Sequence, residues 1–248
     1  MNLPSFTKIT TTGLCAIALL TSSYASAAVY TSGHGDIGVG YDDTLNEFEP
    51  HWHLGSAAVV DGTALGGTGG EFAPHEIVAG ISVTRNSPTG LSSSLGVADG
   101  SLIYVMGSST YQPNLGFAVE ELAGENWVGN ITLSLNAVTR PSGAEFALYT
   151  TNLSGTAIVD EVFSTYDSGA TVFGNELPMT PGGHSHYQWG FTEVGQYDLE
   201  YTWTGEHITD GLISTTDTFT VNVIPEPSTL FLTTLALMSS FIMLRRKR

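Results

Sequence analysis

Apolar and polar residues alternate with a period of two along most of this chain, as in β-strands that bury one face. Ile131, Leu133 and Leu135 follow this pattern. Comparable short runs, separated by Gly, Asn, Pro and Ser, are Ile77–Thr84, Leu102–Gly107, Leu115–Leu122, Trp127–Val138, Glu145–Thr150, Ala157–Phe163 and Thr216–Val223. No stretch of helical period and length lies between residues 28 and 223. The pattern predicts an all-β fold, an antiparallel β-sandwich of the immunoglobulin-like or jelly-roll-like type.

The richest alternating stretch, Gly183–Trp203, predicts a hairpin of two antiparallel strands joined at Val194-Gly195. Its aromatic residues fall on one face, whereas His184 and His186 fall together on the other. We therefore expect one face of the hairpin to be buried and the other to be polar, with two neighbouring imidazoles.

Residues 1–27 have the parts of a secretory signal peptide. Lys8 supplies a positive charge, Leu14–Leu20 is a short apolar run, and small residues up to Ala27 form a cleavage site. We expect signal peptidase to cleave after Ala27, so that the mature chain begins at Ala28 and is exported.

Residues 224–248 carry a second apolar segment, Leu230–Leu244, followed by the basic cluster Arg245–Arg248. As a helix the apolar segment would be about 22 Å long at ~1.5 Å per residue, which is short for a hydrocarbon core of ~30 Å. The basic cluster would stay on the cytoplasmic side and leave the preceding domain outside. The segment is therefore predicted to be a transmembrane helix of marginal length, and an ordinary tail anchor is one interpretation of it.

The order of motifs in this segment resembles the PEP-CTERM sorting signal: Pro225-Glu226-Pro227, an apolar helix and a terminal basic cluster. In that family a membrane exosortase recognises and cleaves the signal. The resemblance implies a transient membrane segment, removal of the tail, and a protein located at the cell surface or in the extracellular medium.

The region between the two signals, residues 28–223, has the length of one domain. It contains every acidic residue of the chain except Glu226, but only two basic residues, Arg85 and Arg140. Such a domain lacks the cations that neutralise phosphates, so we expect no nucleic-acid partner. The single cysteine, Cys15, lies in the signal peptide, and the domain therefore has neither a disulfide nor a thiolate ligand.

All seven histidines of the chain lie in this domain. Ligand-type residues at i and i+2 occur three times: His34 and Asp36, His51 and His53, and His184 and His186. Because such residues share a face of a strand, each pair can chelate one metal ion, and neutral imidazole suits zinc. A single pair of this kind is commonly ordinary surface, but its recurrence favours a metal site.

His75 and His207 have no such partner, and we expect both in exposed loops. The chain has no nucleophile elbow, zinc-protease motif or phosphate loop. A metal-dependent hydrolase is the least favoured interpretation, because no general base stands at a recognisable spacing from the histidines, although Glu47, Glu49 and Glu193 leave it open. We expect that the protein is not an enzyme.

The segments Gly33–Gly38, His51–His53 and Gly183–His186, continued by Trp189–Thr192 and Gly195–Leu199, are similar to the choice-of-anchor surface domain. That domain occurs in surface proteins with varied anchors, in repeats at metal-transporter loci, and in PEP-CTERM proteins under the zinc-uptake repressor. The resemblance implies an exported protein that is made when zinc is scarce. Its implied zinc ligands are His34, Asp36, His51, His53, His184 and His186, of which four would complete one tetrahedral site.

Two functions therefore compete at this point. The first is a surface protein that binds zinc, or another divalent metal, in zinc homeostasis, with an affinity that falls as the pH drops through about 6.5. The alternative is a structural or adhesive matrix protein that binds extracellular polysaccharide or partner proteins independently of metal. Residues 56–180 match no motif of the similar domain.

Overall fold

The computed structural model describes residues 26–107, 111–166 and 176–225. Within these ranges the fold is all-β, which confirms the prediction from the alternation, and the one α-helix is the short α1 (Ser92–Leu95). Short 3-10 helices occur at Pro74–Glu76 and Gly124–Asn126. The strands are β1 (Ala28–Asp42), β2 (Glu47–Leu54), β3 (Val59–Val60), β4 (Thr63–Ala64), β5 (Gly70–Phe72), β6 (Ile77–Ile81), β7 (Thr84–Asn86), β8 (Leu102–Met106), β9 (Pro113–Ala118), β10 (Ile131–Thr139), β11 (Phe146–Thr151), β12 (Ile158–Ser164), β13 (Glu176–Met179), β14 (His184–His186), β15 (Gln188–Phe191), β16 (Gly195–His207) and β17 (Gly211–Val223).

The strands form one sheet of twelve strands and a second sheet of five. The main path of the large sheet is β13-β10-β16-β17-β6-β1-β2-β5, and β9 and β14 extend it beside β1. The small sheet has the order β12-β11-β15-β8-β7. Both sheets are open, and residues from both share one buried hydrophobic cluster. This arrangement is consistent with a β-sandwich.

β1 connects two parts of the large sheet, because its two ends pair with different strands. Its first residues pair with β6 and β3, whereas the residues from Gly33 onward pair with β9 and those from Gly35 onward pair with β2. Gly33 has a φ of +96°, and a Cβ there would stand 2.6 Å from the carbonyl oxygen of Ala57, so this position requires glycine. The Tyr30 hydroxyl donates a hydrogen bond of 2.6 Å to the Gly33 carbonyl oxygen and so holds the backbone at the point where β1 changes partners.

The prediction of a purely antiparallel fold is wrong at three strand pairs. β1 runs parallel to β6 and to β9, and β17 runs parallel to β6. Alternation specifies which face of a strand is buried, but both pairing directions satisfy it. Packing between segments that are distant in sequence therefore decides the direction.

The prediction of a hairpin at Gly183–Trp203 is also wrong. β15 pairs with β11 and β8 in the small sheet, whereas β16 pairs with β10 and β17 in the large sheet. The chain crosses between the sheets, and the rings of Phe191 and Tyr197 meet across the crossing with centroids 4.8 Å apart. The expected burial of the aromatic face holds, since the fully buried side chains include Trp189, Phe191, Tyr197, Tyr201 and Trp203.

The domain limits expected from the sequence coincide with strand ends: β1 begins at Ala28 and β17 ends at Val223. The apolar run of the signal peptide, Leu14–Leu20, which we expect to be helical, lies outside the described residues, as do Glu226, Pro227 and the apolar segment Leu230–Leu244. In the part of the chain that the structure describes, no helix is both long enough and apolar enough to cross a bilayer.

Three large aromatic side chains join the two parts of the large sheet through the core. The Phe219 ring lies with its centroid 5.1 Å from that of Trp52 and 5.8 Å from that of Trp203. All three side chains are fully buried. The Trp52 indole donates a hydrogen bond of 3.1 Å to the Pro74 carbonyl oxygen, so this contact buries apolar area without leaving that polar atom unpaired. Phe219 thus couples β17 to β2 and β16.

Phe219→Ala is expected to lower the free energy of unfolding by about 3–5 kcal/mol, because it leaves a cavity between two tryptophans. Urea unfolding followed by tryptophan fluorescence measures this change. Thr218→Ala, at the exposed neighbouring position of the same strand, is the matched control and should change the free energy by less than about 0.5 kcal/mol. Equal effects of the two substitutions would contradict the packing described.

Candidate metal centre

One face of the large sheet carries the residues that the sequence predicts as ligands. Strand pairing aligns one row across β5, β2, β1, β9 and β14, made of Glu71, His53, Asp36, Gly116 and His186. Residues two positions apart share a strand face, so His34, His51 and His184 lie beside this row. The alternate positions of the same strands, such as Ile37 and Trp52, are buried in the core. Alternate residues of the same strands therefore form the core on one side and a polar cluster on the other.

The histidine–aspartate cluster consists of His34, Asp36, His184 and His186. The Nε2 atoms of His34 and His186 lie 3.0 Å apart. The Asp36 carboxylate approaches both rings, with Oδ2 3.6 Å from His34 Nε2 and Oδ1 3.5 Å from His186 Nε2. His184 offers a ligand atom within 4.8 Å of those of His34 and His186. Strands β1 and β14 thus bring three imidazoles together, and the Asp36 carboxylate approaches two of them.

Asp36 is the buried member of this cluster, with an exposed fraction of 2%. Its Oδ1 atom accepts no hydrogen bond from any residue that the structure describes. Burial raises the pKa of Asp36, while His34 and His184 act to lower it. A buried carboxylate oxygen without a hydrogen bond is costly unless a cation compensates it. A cation held by the neighbouring imidazoles would supply that compensation.

The protonation state of His186 and the orientation of His184 both suit metal binding. Burial, and then the neighbouring His34 and His184, lower the pKa of His186 to about 4, so at neutral pH this ring is in the uncharged form that binds metals. His184 Nδ1 contacts a carboxylate oxygen of Glu120. Such a contact orients an imidazole and leaves Nε2 for a metal ion.

Gly116 provides the space beneath the cluster. A Cβ at this position would clash with Asp36 Oδ1 and would stand 2.6 Å from the Ser185 carbonyl oxygen and 3.2 Å from His186 Cε1. Because real Cβ atoms do not approach other atoms so closely, any larger residue would displace the carboxylate or the imidazole. Glycine in the centre of the row therefore lets the side chains of both neighbouring strands converge.

A second group, the histidine–glutamate cluster, consists of His51, Glu71 and Glu121, whose ligand atoms all lie within 4.8 Å of one another. His51 Nε2 is 3.0 Å from Glu121 Oε1. His53 lies between the clusters, since it is the cross-strand neighbour of both Asp36 and Glu71. The six predicted ligands are therefore divided: four lie in the first cluster, His51 lies in the second, and His53 is a member of neither group.

Glu71, Glu120 and Glu121 were not predicted from the sequence. Glu71 lies in the short β5, and the two adjacent glutamates follow the end of β9. The pairing of β5 with β2 and of β9 with β1 brings them to the histidines. An acidic pair directly after a strand is the only local signal, and it is too common to identify a site.

The expectation of an exposed loop is wrong for His207, which is the last residue of β16 and has a side chain only 11% exposed. Its Nδ1 lies 2.6 Å from Asp210 Oδ2, and its ring packs against Tyr41 and Trp127. Burial against two aromatic rings could not be inferred from its flanking residues. His75 is exposed, as expected, in the 3-10 helix that follows β5.

Three members of the first cluster, His34, His186 and Asp36, are spaced like the ligands of a small tetrahedral cation. Zinc–nitrogen bonds of 2.0–2.1 Å place the ligand atoms of a tetrahedral site about 3.3 Å apart. The three distances among His34 Nε2, His186 Nε2 and the Asp36 oxygens are 3.0, 3.5 and 3.6 Å. These side chains can therefore bind such an ion with shifts of a few tenths of an ångström.

Comparison with known proteins adds no relative. The chain matches no family model, no curated protein and no solved structure.

The metal-free protein is expected to lose stability through His186 as the pH falls from about 6.5 to about 4. In this window the unfolded chain binds a proton at this imidazole and the folded protein does not, so acid favours unfolding. The full effect is at most about 3 kcal/mol. The pKa of Asp36 is raised in the folded protein, so protonation of this carboxyl favours the folded state as the pH falls. The contribution of His186 to the loss of stability is therefore measured by substituting His186.

Urea unfolding in the presence of a chelator, compared between about pH 7 and about pH 5, measures this effect. His186→Gln should reduce the loss of stability in acid, because the variant has no imidazole to protonate. His75→Gln changes an exposed histidine outside both clusters and should leave the loss unchanged. The same pH dependence in all three proteins would show that His186 is not held neutral by its surroundings.

Proposed function

We propose that this protein is an exported, non-catalytic surface protein that binds zinc through the histidine–aspartate cluster and acts in zinc homeostasis. The observation that carries the proposal is the set of short distances among His34 Nε2, His186 Nε2 and the Asp36 carboxylate, 3.0 to 3.6 Å. His34 and His186 are 152 positions apart in the chain. Such convergence of ligand atoms from distant segments is what a metal site requires.

The ligand chemistry favours zinc over calcium or magnesium. Three imidazoles and one carboxylate are a nitrogen-rich set, whereas calcium and magnesium prefer oxygen ligands. Four protein ligands would also fill every position of a tetrahedral ion and leave none for a substrate, which is the pattern of non-catalytic zinc sites. The excess of acidic residues in the domain would favour the approach of cations.

The cellular part of the proposal is export, sorting and release. Signal peptidase would remove residues 1–27, and an exosortase would cleave near Pro225-Glu226-Pro227, so that the membrane holds the chain only transiently. In support, the described strands begin at Ala28 and end at Val223, so both cleavage sites would leave the sheets intact. We regard the exported domain as a β-sandwich of the immunoglobulin-like or jelly-roll-like type, because the two open sheets share one core.

Isothermal titration of untagged protein with zinc tests the metal-binding proposal. The wild type should bind zinc more tightly than about 100 µM. Replacement of both His34 and His186 by Ala should weaken binding at this site at least tenfold, by about 1.4 kcal/mol or more. His75→Ala is the control, because this exposed histidine lies outside both clusters.

An unchanged zinc isotherm in the His34→Ala/His186→Ala protein would refute the proposed site. Retention of polysaccharide or cell-surface binding in chelator, without zinc binding, would instead favour the structural or adhesive matrix protein. Circular dichroism of each variant verifies that the sheets remain folded.

Intact-mass measurement of the protein from its native host tests the sorting proposal. We expect loss of the residues beyond the Pro225-Glu226-Pro227 region, because the apolar segment is short for a stable anchor and proline favours an extended backbone that a protease can bind. Mature molecules that retain Arg245–Arg248 would rule out exosortase cleavage and favour an ordinary tail anchor.

A further inference from the structure

We infer that the histidine–glutamate cluster, His51, Glu71 and Glu121, is a second metal site, so that the protein binds two divalent ions on one face of the large sheet. The ligand atoms of the three side chains lie within 4.8 Å of one another. They come from β2, from β5 and from the segment after β9. This site shares no ligand with the histidine–aspartate cluster, and the inference does not depend on the function proposed above.

The tautomer of His51 makes its Nε2 a ligand atom. His51 Nδ1 lies 2.9 Å from the Glu49 carbonyl oxygen, and a carbonyl oxygen can only accept, so Nδ1 carries the hydrogen. In the neutral ring Nε2 then has a lone pair. A backbone carbonyl bound to the other ring nitrogen is the usual partner of a metal-ligating histidine.

His51 Nε2 faces the Glu121 carboxylate, which has no hydrogen to donate to a lone pair. It is inaccessible to solvent and forms no hydrogen bond within the described part of the chain, although Glu121 Oε1 is 3.0 Å away. In the neutral ring, the Nε2 lone pair and a carboxylate oxygen at this distance repel each other unless a proton or a metal ion lies between them. A divalent cation bound to both atoms and to Glu71 would remove that repulsion.

Two glycines of β1 leave room for this ion. A Cβ on Gly38, the cross-strand neighbour of His51, would stand 2.8 Å from His51 Nε2. A Cβ on Gly40 would stand 3.0 Å from Glu121 Oε2. Any other residue at either position would crowd a ligand atom. Glu121 also lines an open cavity with Tyr41 and Trp127, which provides a route from solvent.

The ligand set differs from that of the first cluster. One imidazole and two carboxylates form a harder, oxygen-rich site, which accepts manganese as well as zinc. The three-imidazole cluster prefers zinc more strongly. The two sites should therefore respond differently to the two metals, and manganese serves as a selective probe of the histidine–glutamate cluster.

Calorimetric titration with zinc and with manganese, on untagged full-length protein, tests the inference. We expect each wild-type chain to bind two zinc ions. Each chain of the His51→Ala variant, and each chain of the Glu121→Gln variant, should bind only one. Manganese binding should weaken at least tenfold in both variants and remain unchanged in His186→Ala. Glu125→Gln, at an exposed glutamate four positions along the chain from Glu121, is the matched control.

The outcomes separate the two sites. One zinc ion that is lost in His186→Ala but kept in His51→Ala and Glu121→Gln would overturn the inference and leave the proposed function standing. One zinc ion that is kept in His186→Ala but lost in His51→Ala and Glu121→Gln would support the second site and refute the first. If His51→Ala does not fold, Glu121→Gln decides alone, because that side chain is 40% exposed and its amide has nearly the same size.

Discussion

The backbone pairing of β1 is the constraint on which both the core and the polar histidine–aspartate cluster depend. This strand pairs first with β6 and then, from Gly33 onward, with β2 on one side and β9 on the other. The positive φ at Gly33 requires a glycine, and the Tyr30 hydroxyl donates a hydrogen bond to the Gly33 carbonyl oxygen. Without this change of partners, Asp36 would not lie between the strands that carry His53 and His186.

The stability of the polar face comes from the apolar face of the same strands. Asp36 and His186 lose hydration without full hydrogen bonding, which is unfavourable by itself. Ile37 and Trp52, at alternate positions of the same strands, are completely buried, and burial of such side chains stabilises the domain. The core thus holds in place a cluster that would otherwise spread apart through solvation and repulsion. Preorganisation of this kind reduces the cost of ordering ligands when a metal binds.

The two clusters lie on the same sheet face but differ in their side chains. Near β14 the side chains are mainly imidazoles around one buried carboxylate, whereas near β5 they are mainly carboxylates around one imidazole. His53 separates them, as a cross-strand neighbour of both Asp36 and Glu71. Three residues on this face of β1 and β9 have little or no side chain: Gly38, Gly116 and Ala118. The space above them lets side chains from neighbouring strands come into contact.

The alternation of residues by itself determined the all-β class, the positions of many strands and which side of those strands is polar, because side-chain direction in a strand follows from local geometry. It therefore placed His184 with His186, and His51 with His53, on shared faces. Only the tertiary structure decided the parallel pairings, the crossing between sheets after β15, and the division of the predicted ligands into two clusters with Glu71, Glu120 and Glu121. These features depend on which strands become neighbours, and that choice rests on packing between distant segments, for which a local period of two carries no information.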